Sequence, residues 1–483
     1  MSNAIRCVLL GTLAFLLAPG LAAQDTLRVT QVVVEGETVT LPGGGTGTVS
    51  TIQTSLFTNR NAEVGFSVDV QGDDGVWFGD APIWLNSQAT SHTLTGAEFT
   101  MGIGDNGEFI YSPSIDGNDG VWTDQGYLLA DGDPAPGFEG DTLVTFNSRP
   151  TMGANGTAYW VAGVNDGAGG TSTVNRALYM STDRTPATTS VVLRSGDIVG
   201  GFPLAGGSDG IGFNYEFSDD GTHHILGLVL ETGSSTDDNV VYVDGAIVAR
   251  EAHPNGSGID NWDNFDIHRI LDDGTYGFTG DTDGSTATDE FIAINGTIVL
   301  REGDVVDGVT LGSGVVAFDL NADGLVVFGW SLTSSSDEGL FVADISDIPG
   351  TARLVARTND LLDTDGDGTP EWVLTDVNPS ASTGQGAGAL APDGTFFISL
   401  GVEPVGGGTE VDGAFAFDFG GGDECEQDLT ATLDDPNPAP GDVMTFAVTV
   451  TNNSPDPAPL DLWLVATGPA NKTVRLGGGT LPG

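Results

Sequence analysis

From residue 27 to residue 419 the chain alternates short apolar runs with polar, Gly-containing turns. The first recurring unit is a turn ending in Gly that leads into an apolar or alternating run. It reads Gly104-Asp105-Asn106-Gly107 before Phe109-Ile110-Tyr111, and Gly153-Ala154-Asn155-Gly156 before Ala158-Tyr159-Trp160. It returns at Ser218-Asp219-Asp220-Gly221, Leu271-Asp272-Asp273-Gly274, Asn321-Ala322-Asp323-Gly324 and Ala391-Pro392-Asp393-Gly394. A degenerate first copy is Asn61-Ala62-Glu63-Val64-Gly65-Phe66. Runs of this length, bounded by Asn-Gly and Asp-Gly, predict strands joined by tight hairpins, because such turns need positive φ that Gly and Asn tolerate. No long amphipathic helical period interrupts them, so the predicted class is all-β.

A second unit follows the first: an apolar strand, a turn, another apolar strand, then often Arg-x-Gly-Asp. It is seen at Val191-Val192-Leu193-Arg194-Ser195-Gly196-Asp197, at Ile247-Val248-Ala249-Arg250, at Ile298-Val299-Leu300-Arg301-Glu302-Gly303-Asp304 and at Leu354-Val355-Ala356-Arg357. Counted at positions 63, 107, 156, 221, 274, 324 and 394, the first unit recurs with steps of 44 to 70 residues. Seven units of about fifty residues, each with three or four strands, predict a seven-bladed β-propeller. The last unit lacks its Arg-x-Gly-Asp strand, and the N-terminus carries an orphan copy, Gln31-Val32-Val33-Val34-Glu35-Gly36-Glu37. A closed ring would place that strand in the last blade and remove the open edge. An open β-solenoid is the alternative.

Composition changes the picture in three ways. The formal net charge is −54, with Lys472 the single lysine. Such a surface repels phosphate backbones and anionic lipid, so nucleic acid and membrane insertion are excluded as partners, while divalent cations and salt are favoured. Residues 1–23 read as an export signal, with Arg6 before the apolar run Cys7–Leu17 and small residues before Gln24. The mature chain then keeps only Cys425 and has no internal disulfide. A secreted or cell-surface monomer with an extracellular ligand is expected.

The pairing of Asn-x-x-Gly strands with Arg-x-Gly-Asp segments over residues 27–419 resembles tandem-repeat secreted proteins of environmental bacteria. Arg301 to Gly308 fits that pattern well, while Ala252-His253 and Thr358-Asn359 depart from it. The resemblance implies export and a repeat scaffold, and it supplies no activity. Residues 420–427 read as a linker. Residues 428–483, with Pro436–Asp442 and the alternating run Met444–Thr451, resemble the start of an immunoglobulin-like surface module. A full sandwich needs about 100 residues, so a partial module is expected.

The sharpest candidate chemistry is Asp363-Thr364-Asp365-Gly366-Asp367-Gly368-Thr369-Pro370-Glu371. Carboxylates at positions 1, 3, 5 and 9, a Gly at 6 and the Thr369 carbonyl at 7 suit a calcium loop. Leu374 stands where an EF-hand would place its Glu, so a structural Ca²⁺ site held by Asp363, Asp365, Asp367, Thr369 and Glu371 is the expectation. The shorter clusters at Asp73-Asp74, Asp116 with Asp119, and Asp281 with Asp283 and Asp289 read as turns. Arg194, Arg250, Arg301 and Arg357 sit at one repeat position and are expected to pair with acidic neighbours rather than form an anion site. His223 and His224 are expected on opposite strand faces. Trp77, Trp84, Trp122, Trp160 and Trp330 are expected in the core rather than stacked on sugars.

No nucleophile elbow, zinc-protease helix or phosphate loop is present. No residue is therefore assigned a catalytic role. The expected function is a non-catalytic scaffold for adhesion or ligand binding, glycans included. The alternative is a propeller hydrolase acting on glycans or lactones at the central channel. Carboxylates converging with a His or Arg at one channel mouth would favour the enzyme, and a small apolar lining the scaffold.

Overall fold

The computed structural model describes residues 28–52, 55–96, 101–144, 150–165, 175–207, 210–333, 337–377 and 388–419. It also describes the backbone of four later strands. The export segment 1–23, residues 420–426 with Cys425, and Pro436–Asp442 lie outside the described residues.

Each repeat folds into one antiparallel sheet of four to six strands. Blade 5 is the plainest: Trp262–Ile270, Tyr276–Thr282, Phe291–Ile294 and Thr297–Arg301 pair in chain order. Blade 4 is likewise Ile211–Phe217, His224–Val229, Asn239–Val243 and Ala246–Arg250. In blade 7 the outermost strand comes from the other end of the chain. Arg28–Val34 pairs antiparallel with Val411–Asp418, in register Arg28↔Asp418 through Val34↔Gly413. The ring is thus closed as the orphan N-terminal strand predicted, and the arrangement is a seven-bladed β-propeller. The open solenoid is excluded.

Burial explains why the ring holds. Seven hydrophobic clusters are present, each between two successive blades. The cluster between blades 7 and 1 brings Val33, Phe397 and Ala414 against Val49, Phe66 and Val68. Blades therefore bury both faces, which is why their strands read as continuous apolar runs. Trp77, Trp122, Trp160 and Trp330 are all buried in these seams, as expected of core residues. Trp84 is half-buried and donates its indole N–H to the Tyr111 hydroxyl at 2.9 Å.

The two sequence units have separate structural jobs. The first is the turn between the first and second strands of every blade. In blade 6 the Asn321 N–H donates to the Leu325 carbonyl and the Gly324 N–H donates to the Asn321 carbonyl, both at 3.0 Å. The same two bonds recur in the blades that turn at Asn59, Gly104, Gly153, Leu271 and Ala391, and at Ser218 in blade 4 the first reaches one residue further, to the His223 carbonyl. Positive φ falls at the last turn residue rather than at the centre, which is a type I turn closed by a left-handed residue. That residue is Gly in six blades. In blade 1 it is Ala62, at φ 58°, so the degenerate copy aligns on Ala62 and not on Glu63. Hairpins with two positive-φ centres do occur, between the third and fourth strands at Asp244-Gly245 and Asn295-Gly296.

The second unit is the junction between blades. The Asp197, Asp304 and Asp360 side chains each accept the N–H of the arginine three residues earlier, at 2.8–2.9 Å. The departures Ala252 and Asn359 keep the bend by taking positive φ themselves. The repeated arginines lie on acidic neighbours: Arg194 on Asp197, Arg250 on Asp237, Arg301 on Asp260 and Arg357 on Asp337.

The contacts set Leu27–Phe419 apart as one compact unit. Beyond it, Gln427–Leu433 pairs with Phe446–Asn452 and Leu460–Gly468 pairs with Lys472–Leu481, giving two two-stranded antiparallel sheets. Among the described residues no helix is long and apolar enough to cross a membrane.

Candidate functional site

The first strands of the blades line the central channel, and the seven repeated turns crown one of its mouths. Below the turns lies a cavity of about 160 Å³ whose walls include Phe57, Met152, Tyr215, Leu320 and Leu390 beside Glu216, Arg269 and Asp319. The repeat dictates which side chains face it. Two residues before each turn stand Phe57, Gly102, Thr151, Glu216, Arg269, Asp319 and Ala389. At the second turn position stand Arg60, Asp105, Ala154, Asp219, Asp272, Ala322 and Pro392. The first set forms a deep level and the second a rim.

In the deep level Arg269 links four blades. Its Nη1 donates to Glu216 at 3.0 Å and its Nε lies 3.1 Å from Asp319. Its Nη2 reaches the Gly388 carbonyl at 3.5 Å. Asp319 also accepts the Leu390 N–H at 2.7 Å, tying blade 6 to blade 7. Burial raises the Glu216 carboxyl above its ordinary range against the pull of Arg269, and Asp319 moves the same way. One guanidinium serves two carboxylates here, so the protonated form of one is favoured.

At the rim Arg60 spans the opening. Blades 4 and 5 face blade 1 across the ring, and Arg60 lies 3.9 Å from Asp219 and 3.4 Å from Asp272. Its own N–H donates to Asp105 at 3.0 Å. Burial and then the Asp272 carboxylate push Asp219 up to about 6. The Asp105 and Asp319 carboxylates add to this, and Arg60 opposes it. The mouth thus holds five carboxylates against two guanidiniums.

The predicted metal loop lies elsewhere, in blade 7 between Leu361–Leu362 and Trp372–Asp376. It brings ligand oxygens of Asp363, Asp365, Asp367 and Glu371 within 4.8 Å of one another. Their oxygens are oriented by backbone donors: Gly366 and Gly368 donate to Asp363, and Thr364 donates to Glu371, at 2.7–2.8 Å. Thr369 is in the same loop and donates its N–H to Asp367 at 2.7 Å. No arginine or histidine pairs with these four carboxylates among the described ion pairs. The loop can therefore take a hard cation through oxygen ligands.

The histidines depart from expectation in one respect. His223 belongs to the turn and not to the strand, so alternation does not separate it from His224. Both rings approach Asp244, at 2.5 and 3.5 Å. Asp116 pairs with His92 at 2.7 Å, and Asp283 accepts both N–H groups of Asn261 at 2.8 Å. Asp73 accepts the Ser87 N–H at 3.1 Å. Asp116 and Asp283 thus serve turns, whereas Asp73, Asp74, Asp119 and Asp281 lie in strands, Asp281 beside Asp266 and Glu290.

No family profile and no curated relative matches this chain. Among solved structures, a chain from a structural and mechanistic study of two prolyl endopeptidases matches at 10% identity and TM-score 0.42, over 80% of this chain and 52% of that one. The present chain therefore spans about half the length of that one. An oligogalacturonate lyase in complex with manganese matches at 11% identity and TM-score 0.36, over 80% and 98%. The WD40 β-propeller domain of Doa1 matches at 10% and TM-score 0.36, over 80% and 96%. Enzymes and non-enzymes stand side by side at this distance, and none of them bears on what the present mouth does.

Proposed function

We propose that the protein is an exported, non-catalytic propeller that binds an extracellular ligand at the turn-crowned mouth of its channel. The observation that carries this reading is positional. The rim residues Arg60, Asp105, Asp219 and Asp272 occupy one repeat position, so the same turn that builds the fold gathers charge around one opening. The deep charges are spent on joining blades, which suits a scaffold. The Asp363–Glu371 loop adds a structural Ca²⁺ site that stiffens blade 7. Residues 428–483 would act as a partial immunoglobulin-like surface module, and the acidic exterior keeps the monomer soluble in salt. The test is a glycan-array screen of the full chain with calcium present, repeated with Asp272→Asn. Binding lost in the variant supports the reading, and binding that ignores Asp272 moves the site off the mouth.

A second reading, a hydrolase acting on glycans or lactones, is favoured by the convergence of carboxylates with Arg60 and Arg269 at one mouth, the arrangement expected of an enzyme, and by one further feature. Asp219 titrates near 6 close to a Glu216 that favours its protonated form, an arrangement able to supply a base and an acid. Turnover of a lactone or oligosaccharide, abolished by Glu216→Gln with the fold intact, would replace the scaffold reading.

A further inference from the structure

The mouth is a cavity with a charge imbalance, and the chain already sends one of its own cations across it. Asp105, Asp219, Asp272, Glu216 and Asp319 face Arg60 and Arg269. Arg269 is fixed: its side chain is 11% exposed and bonded to two carboxylates and two carbonyls. Arg60 is held differently. Its side chain is 40% exposed, and its guanidinium stands at 3.4 and 3.9 Å from its two partners, longer than a well-formed charged hydrogen bond. An exposed pair of this kind contributes little and is readily exchanged. Beneath it Phe57, Leu56, Met152, Tyr215, Leu320 and Leu390 share the walls of a cavity of about 160 Å³ with Glu216, Arg269 and Asp319. That volume suits a short alkyl body, and the rim above suits a cationic head.

We propose that the mouth binds an organic cation, an alkylammonium or guanidinium, whose head displaces the Arg60 guanidinium between Asp219 and Asp272 while its alkyl body enters the cavity. This inference rests on the mouth being the ligand site and names the ligand class it takes. Arg60 is then an internal occupant that competes with the ligand. The cation restores part of the missing positive charge, and its alkyl body lies against the apolar part of the cavity wall.

The experiment is calorimetric titration of the full chain with agmatine at constant ionic strength. Capped arginine (N-acetyl-arginine amide) is run beside it, to separate a free amine from a polypeptide side chain. One site per chain is expected. Asp272→Asn should weaken binding at least about tenfold, the scale of one charged contact. Arg60→Ala should tighten it several-fold. Glu139→Gln, an exposed carboxylate in the junction between blades 2 and 3, should change nothing. Circular dichroism and the unfolding midpoint confirm that each variant folds. Binding that Asp272→Asn leaves unchanged, or that Arg60→Ala weakens, overturns the inference. A neutral oligosaccharide that binds instead and is lost in Asp272→Asn keeps the mouth as the site but overturns its cation preference. If neither ligand responds to Asp272, both readings fall.

Discussion

Two acidic regions of this propeller solve the same electrostatic problem in opposite ways. At the channel mouth, carboxylates from four blades converge and the chain supplies its own counter-charges, Arg60 and Arg269. In the Asp363–Glu371 loop, four carboxylates from nine consecutive residues converge and no basic side chain joins them. There the oxygens are oriented by backbone N–H groups, and any balancing cation would come from outside the chain. A chain of this charge has few cations to spend: 14 Lys and Arg against 68 Asp and Glu. Spending two of them at the mouth marks that place as one where the inner strands must be held together.

The largest effect should follow from removing the deep arginine. Arg269→Ala leaves Glu216 and Asp319 without their shared partner inside the channel. Breaking a buried pair in this way costs about 3–5 kcal/mol. Chemical denaturation should read most of that loss. Adding Glu216→Gln and Asp319→Asn to Arg269→Met should recover much of it, because the uncompensated charges are then gone. An unchanged midpoint in Arg269→Ala would remove the mouth's structural half from the comparison.

Next in size is the pH dependence. Asp219, Asp266 and Asp412 are each pushed up to about 6 by burial and then by neighbouring carboxylates. Glu216 and Glu290 move in the same direction, Glu290 through burial and then Asp281. A carboxyl that binds its proton more tightly when folded favours the fold in its protonated form. That contribution is lost as pH rises from the ordinary carboxylate range through about 6. Asp220, lowered to about 2 by the Thr222 hydroxyl and N–H, works oppositely and protects the fold until strong acid is reached. The unfolding midpoint at low salt should therefore be higher at about pH 5 than at about pH 8. Added salt should narrow the gap by screening the repulsion. A midpoint that rises steadily toward alkaline pH would contradict this assignment.

The smallest effect concerns the turn that builds the mouth. Ala62 holds at φ 58° the conformation that Gly holds in the other six blades. Ala62→Gly should stabilise by up to about 1 kcal/mol, the strain of a left-handed residue less the entropy of Gly. Gly324→Ala should cost about 1 kcal/mol or more, since its Cβ would also meet Ile345 at 3.2 Å. Equal effects of the two variants would mean that the turns are not equivalent.

What the sequence disclosed follows the range of the interactions. The Asp363 loop was legible because its ligands fall within nine residues and a tight loop must bring them together. The blades were legible because each seam needs both strand faces apolar, and closure because the strand Arg28–Val34 had no unit of its own. The mouth was not singled out, since Arg60, Asp219, Asp272 and Asp319 come from four blades and look like isolated turn charges. A signal existed: aligned on the turn, the charges at positions −2 and +1 fall in register. The slip of one residue in the first copy, from Ala62 to Glu63, hid Arg60 from that alignment. His223 was misplaced for a related reason, because the extra residue Thr222 keeps it in the turn.

The most direct test is a calorimetric calcium titration of the full chain, in wild type, Asp365→Asn and Asp272→Asn. The account predicts one calcium per chain, with Kd on the order of 10⁻⁴–10⁻³ M, the range of extracellular modules. Binding should vanish in Asp365→Asn and persist in Asp272→Asn, because the loop lacks the arginine partners that the mouth has. Absence of binding, or binding lost through Asp272 and kept without Asp365, would contradict it.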